Sequence, residues 1–198
     1  MAETATWLVV FTDPADLVLA LYVRDAAGLS VAEDFPPLDG HVPRWAAPWD
    51  ARARRAAEAQ WLGWWEDLLD HRPDDRDVRV DGPEFPGSAA SPELQSAQVA
   101  LFPAALRWQS VRRAQAGALG TGTTFSALHT LAMLPLVKEI EARLGRPAAA
   151  FRYVVEVIPT TGKHYWDLGV ERLLISDELG MDLESLADVL RPRLGALA

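Results

Sequence analysis

The chain has 198 residues, 28 Asp and Glu against 19 Lys and Arg, a formal charge of −9 and no cysteine. The missing cysteine excludes disulfides, thiolate metal sites, iron–sulfur clusters and a thiol nucleophile. The acidic balance argues against nucleic acid, which needs a basic face to displace counterions. With 49% hydrophobic residues the chain can fill a core, so one globular domain over residues 1–198 is expected.

In chain order, the N-terminal residues carry Glu3 and no basic residue, and the apolar run Trp7–Phe11 stops at Asp13-Pro14. From that pattern no signal peptide is expected. The longest apolar run, Phe125 to Val137, is broken by Ser126, His129, Thr130 and Pro135, too short and polar to cross a bilayer. A cytoplasmic location without membrane contact is the expectation. Arginine outnumbers lysine 17 to 2, a bias that fits a GC-rich bacterial genome.

Trp7 to Phe11 reads as a short buried strand, and Leu17 to Val23 as a second one, because Val18, Tyr22 and Val23 favour extended backbone. The competing reading starts a helix at Asp13-Pro14 and ends it at Gly28. Residues 35–49 hold Pro36, Pro37, Pro43, Pro48 and Gly40, a proline-rich connection expected to be mobile. A helix follows over 50–71, capped by Asp50, with Ala53, Ala57, Trp61, Trp64, Trp65 and Leu68 along one stripe. Residues 73–91 form a second expected mobile connection, rich in acid and proline.

Ser91-Pro92-Glu93 opens the next helix, with Leu94, Ala97, Leu101, Ala105, Trp108 and Val111 facing inward and a kink before Pro103. Gly117 to Thr124 breaks it, and a third helix runs from about Thr124 to Leu144. Phe151 to Ile158 is a strand with Phe151, Tyr153, Val155 and Val157 on one face. Two short strands follow, Lys163 to Leu168 and Arg172 to Ile175. Asp182 caps a last helix, with Leu183, Leu186, Val189 and Leu190 inward and Pro192 ending it. Strands at both ends with helices between them predict an α+β fold. Its antiparallel sheet is built from N- and C-terminal strands and covered by about three central helices and a C-terminal helix.

The tryptophan-bearing helix is the most unusual feature. Trp61, Trp64, Trp65 and Trp108 offer large contact area with a polar N–H, which suits a binding surface. The same spacing equally describes packing between helices. The stretch Gly120, Gly122, Thr123 and Thr124 opens a helix and could cradle an anion, yet it lacks the phosphate-loop lysine. His164 and Glu156 are the candidate acids or bases, His164 lying near Glu156 across a predicted hairpin with Asp167 three residues on. No histidine pairs at metal-ligand spacing, so neither a metal nor a cofactor is expected. The acidic runs Asp74–Glu84 and Asp177–Asp188 would attract a basic partner. The resulting expectation is a non-enzymatic adaptor or immunity-type protein that holds a protein partner. The alternative is a small-molecule enzyme using the 117–124 loop and His164.

Overall fold

The computed structural model describes residues 7–32, 34–71, 92–118 and 123–198, with backbone alone at 116–118 and 123–131. Among these residues the fold is mixed, with four strands and six helices. The strands are β1 (Leu8–Thr12), β2 (Arg152–Ile158), β3 (Tyr165–Asp167) and β4 (Arg172–Ser176). The helices are α1 (Ala15–Ala27), α2 (Ala51–Asp70), α3 (Pro92–Ala118), α4 (Thr123–Leu144), α5 (Asp177–Met181) and α6 (Leu183–Leu197). The chain divides into two compact units. Unit 1 comprises Met1–Asp13, Arg113–Ile158 and Gly162–Ala198; unit 2 comprises Pro14–Arg112 and Pro159–Thr161.

Unit 1 holds the sheet, ordered β1-β2-β4-β3. It is indeed assembled from both ends of the chain, but the expected antiparallel pairing is wrong for two of its three ladders. β1 runs parallel to β2 and β2 parallel to β4; only β3 is antiparallel to β4. The reason lies in the connections. A tight hairpin enforces antiparallel pairing, whereas β1 and β2 are joined through helices and β4 skips past its hairpin partner to reach β2. Strand alternation then divides the residues between two faces. Val9, Phe11, Tyr153, Val155, Leu173 and Ile175 meet Met133, Leu136, Val137 and Ile140 of α4 and Leu186, Leu190 and Leu194 of α6. The opposite face buries Val154, Glu156 and Leu174. A strand apolar on both faces, as β2 nearly is, suits a parallel sheet. In the core the Tyr153 hydroxyl has no hydrogen-bond partner among the described residues, and burial pushes its phenol up to about 12.

Unit 2 is helical. Residues 15–27 form α1, not a strand, so the helix reading from Pro14 to Gly28 is the correct one. Every residue from Leu17 to Arg24 is buried, so packing overrides the modest β preference of Val18, Tyr22 and Val23. Gly28 ends α1 in the left-handed region at φ 65°, its own N–H returning to Asp25 O and that of Leu29 to Arg24 O. Arg24, only 4% exposed, binds Asp25 Oδ1 through Nε and donates to the carbonyls of Phe35 and Pro36 at 2.7 and 2.8 Å. Asp25 Oδ2 accepts from Leu38 N at 2.8 Å, so the start of the proline-rich segment is tied to α1.

Asp50 caps α2 as expected, accepting from Arg52 N and Ala53 N. Gln60 then joins α2 to α3, donating to Glu93 and accepting from Leu94 N. α3 begins at Pro92 and continues through Pro103. Its expected inward residues are buried from Leu94 to Ala105, but Val111 is 52% exposed. In unit 1, α6 likewise continues through Pro192 to Leu197, because Leu190 and Leu194 on either side of the proline are fully buried and outweigh one missing N–H. The expected connection at 73–91 lies outside the described residues.

Candidate functional site

The tryptophan stripe turns inward. Trp61 is fully buried and Trp65 is 2% exposed, their rings stacked 12° from parallel at 5.3 Å. Trp61 Nε1 donates to Ala20 O at 2.8 Å, and Phe35 meets Trp65 edge-on at 4.8 Å. These two indoles are core of unit 2 and present no surface to a partner, which corrects their placement on a binding face. Aromatic area is most stabilising when water leaves it, and the α1 carbonyl satisfies the Trp61 N–H that would otherwise favour the surface. Trp64, about 100° around the helix from Trp65, stays half-buried. Trp108 is half-buried on α3, tilted against Tyr22 at 5.9 Å with the Arg112 guanidinium over its ring.

The candidate acids or bases His164 and Glu156 are not brought together. β4 lies between β2, which carries Glu156, and β3, which His164 precedes, a separation of two strand spacings or roughly 10 Å. Glu156 is fully buried and bound to Arg172 Nη2 at 2.8 Å. His164 is exposed, its ring stacked on Trp166 at 5.8 Å. Asp167 belongs to Arg193, which grips both its oxygens at 2.7 Å and holds its carboxyl below the usual aspartate range. Gly120 and Gly122 of the candidate anion loop lie outside the described residues, as do the side chains of Thr123, Thr124 and His129. Among the described residues no group of His, Asp and Glu is placed to hold a metal ion.

A different surface of unit 1 emerges at the junction of α5 and α6, within the acidic run Asp177–Asp188. Met181 is 58% exposed and Leu183 47% exposed, either side of Asp182. Glu178, Glu184 and Asp188 are exposed in the same stretch. Asp182 caps α6, accepting from Ser185 N at 3.1 Å and Ser185 Oγ at 2.7 Å, and pairs with Lys163 Nζ at 2.6 Å. Those hydrogen bonds, the lysine first, hold its carboxyl far below the usual range. Glu178 Oε1 accepts from Gly162 N at 2.8 Å, so the loop before β3 is moored to α5. The result is an apolar pair flanked by exposed carboxylates, of which Asp188 is paired with Arg191 at 2.6 Å.

The sequence placed Leu183 inward and did not register Met181. Leu183 shares the helical arc of Leu186, Leu190 and Leu194 but precedes them by a turn and lies outside their core cluster. Periodicity reports the arc of a helix, not where its packing partner stops. Among the described residues no helix is long and apolar enough to cross a membrane. Comparison with protein-family models, curated proteins and solved structures finds no match to this chain.

Proposed function

We propose that this chain is a cytoplasmic binding protein of the adaptor or immunity type, which holds a basic protein partner on the α5–α6 junction. The observation that supports this reading is the exposure of Met181 and Leu183 among Glu178, Glu184 and Asp188. Exposed apolar side chains supply contact energy, and a methionine adapts its shape to what it meets. The surrounding carboxylates draw a basic surface toward them and exclude acidic competitors. The chain's overall charge of −9 acts in the same sense at longer range.

The test is a tagged pull-down from the native host with quantitative mass spectrometry, run in parallel for the native chain and two variants. Met181→Ser/Leu183→Ser removes the apolar contact, and Glu178→Lys/Glu184→Lys reverses the rim. A stoichiometric basic protein, retained by the native chain and lost from both variants at unchanged melting temperature, is the expected result. A partner held equally by all three, or no partner at all, overturns the reading.

A further inference from the structure

Helix α3 carries large apolar side chains outward as well as inward, and two amides inward. Gln98 is fully buried and Gln109 is 6% exposed, whereas Val99, Leu106 and Val111 stand 48%, 36% and 52% exposed. Among the outward residues, which also include Ala100, Arg107 and Val111, one row is regular. Pro92, Ser96, Val99, Pro103, Leu106 and Ser110 follow one another in alternating steps of four and three, and all six are exposed. That is the spacing of a seam between paired helices. The two serines on it turn their hydroxyls back onto their own helix, Ser96 to Glu93 O at 2.7 Å and Ser110 to Leu106 O at 2.8 Å. The seam therefore offers little competing polarity.

Charge identifies what fits it. Although the chain carries 28 acidic residues, none lies between Glu93 and Glu139. Two copies of a strongly acidic chain repel over most of their surfaces, whereas beyond Glu93 helix α3 itself carries no carboxylate. At one end of the seam stands Glu93, at the other Arg107, which is exposed and has no carboxylate partner among the described residues. Both occupy the position just after a seam residue, Pro92 and Leu106 respectively, where charges flank a helix pair. A parallel pair would set Glu93 beside Glu93 and Arg107 beside Arg107. An antiparallel pair sets Glu93 of each copy beside Arg107 of the other.

We propose that α3 pairs antiparallel with α3 of a second copy of this chain, about a two-fold axis at the level of Leu101. Val99 of each copy then packs on Pro103 of the other, Ser96 on Leu106 and Pro92 on Ser110, with two symmetry-related Glu93–Arg107 contacts at the margins. One helix pair falls short of the ~800 Å² per partner of a stable complex, so the dimer is concentration-dependent.

Sedimentation equilibrium of the full chain over the micromolar to millimolar range tests this. A monomer–dimer equilibrium is expected, and Leu106→Glu, which sets carboxylates into the seam, abolishes it while circular dichroism and melting temperature stay unchanged. Glu93→Arg and Arg107→Glu each weaken the dimer about tenfold, and the swapped double variant recovers it. Mixing the two single variants gives a heterodimer tighter than either homodimer. A monomer at every concentration overturns the proposal, as does a dimer indifferent to Leu106→Glu. A dimer lost with Leu106→Glu but not recovered by the charge swap overturns the antiparallel arrangement.

Discussion

Helices α2 and α3 distribute their side chains differently. α2 buries Ala57, Trp61 and Trp65 and exposes Arg55, Glu66, Asp67 and Asp70, the ordinary amphipathic arrangement. α3 buries Gln98 and Gln109 and exposes Val99 and Leu106. The contrast teaches that residue type is a poor guide to where a helix meets a partner. An indole enters the core readily when a carbonyl waits for its N–H, as Ala20 O does for Trp61. An amide in the core with neither atom partnered, as in Gln98, costs stability, and aliphatic groups left in water forgo the gain of burial. α2 also leaves a buried donor unpartnered, Trp65 Nε1, but α3 exposes three large aliphatic side chains to α2's one, and a partner on its outer face covers them.

The sharpest way to break this comparison is to truncate both helices. Trp61→Ala removes a fully buried ring and its hydrogen bond, and it should destabilise the protein by roughly 3–5 kcal/mol in chemical denaturation. Leu106→Ala, measured at a concentration where the chain is monomeric, should change stability by less than about 0.5 kcal/mol. Equal effects would erase the distinction between the two helices.

Tyr153 extends the comparison to unit 1, since it too is a buried polar group without a partner. Desolvation is the main cause of its raised pKa, with Asp167 adding to it and Arg193 working against it. The unfolded phenol ionises first, near pH 10, and the folded one only near 12. The stability tied to the neutral phenol is therefore complete below pH 10 and falls away as pH rises toward 12, by about 2 kcal/mol. Tyr153→Phe should flatten the alkaline limb of a stability–pH curve; an unchanged limb would place the loss elsewhere.

The smallest expected effect sharpens the reading of α3 itself. Gln98→Leu replaces the unpartnered amide with an apolar group of similar size and should raise stability by about 1 kcal/mol. A loss of stability on that substitution would mean that the amide is satisfied in the folded protein.

The sequence revealed the elements with local punctuation. Asp50 and Asp182 cap α2 and α6, Pro92 opens α3, and the alternation from Phe151 to Val157 identifies the core face of β2. It failed where the deciding interaction was distant. Leu17 to Val23 is apolar all round, so it has no period to separate strand from helix, and only the flanking signals, Asp13-Pro14 before it and Gly28 after it, favour the helix. Strand direction is set by connections, not by residues, so strand patterns alone do not reveal the two parallel ladders. The candidate surfaces were hidden for a related reason. Met181, Leu183, Val99 and Leu106 look like core residues until the extent of their neighbours is known.

The connectivity of the sheet has a consequence for how the protein is made. Val9 pairs with Tyr153, 144 residues further along, while most of unit 2 is the contiguous stretch from Pro14 to Arg112. At ordinary translation rates β1 leaves the ribosome on the order of ten seconds before its partner strand exists. Unit 2 has its helices in hand during that interval and folds first, whereas unit 1 waits for the last quarter of the chain. Throughout the delay the apolar segment Trp7–Phe11 is an unpaired strand, so the nascent chain is most exposed to misassociation at this segment.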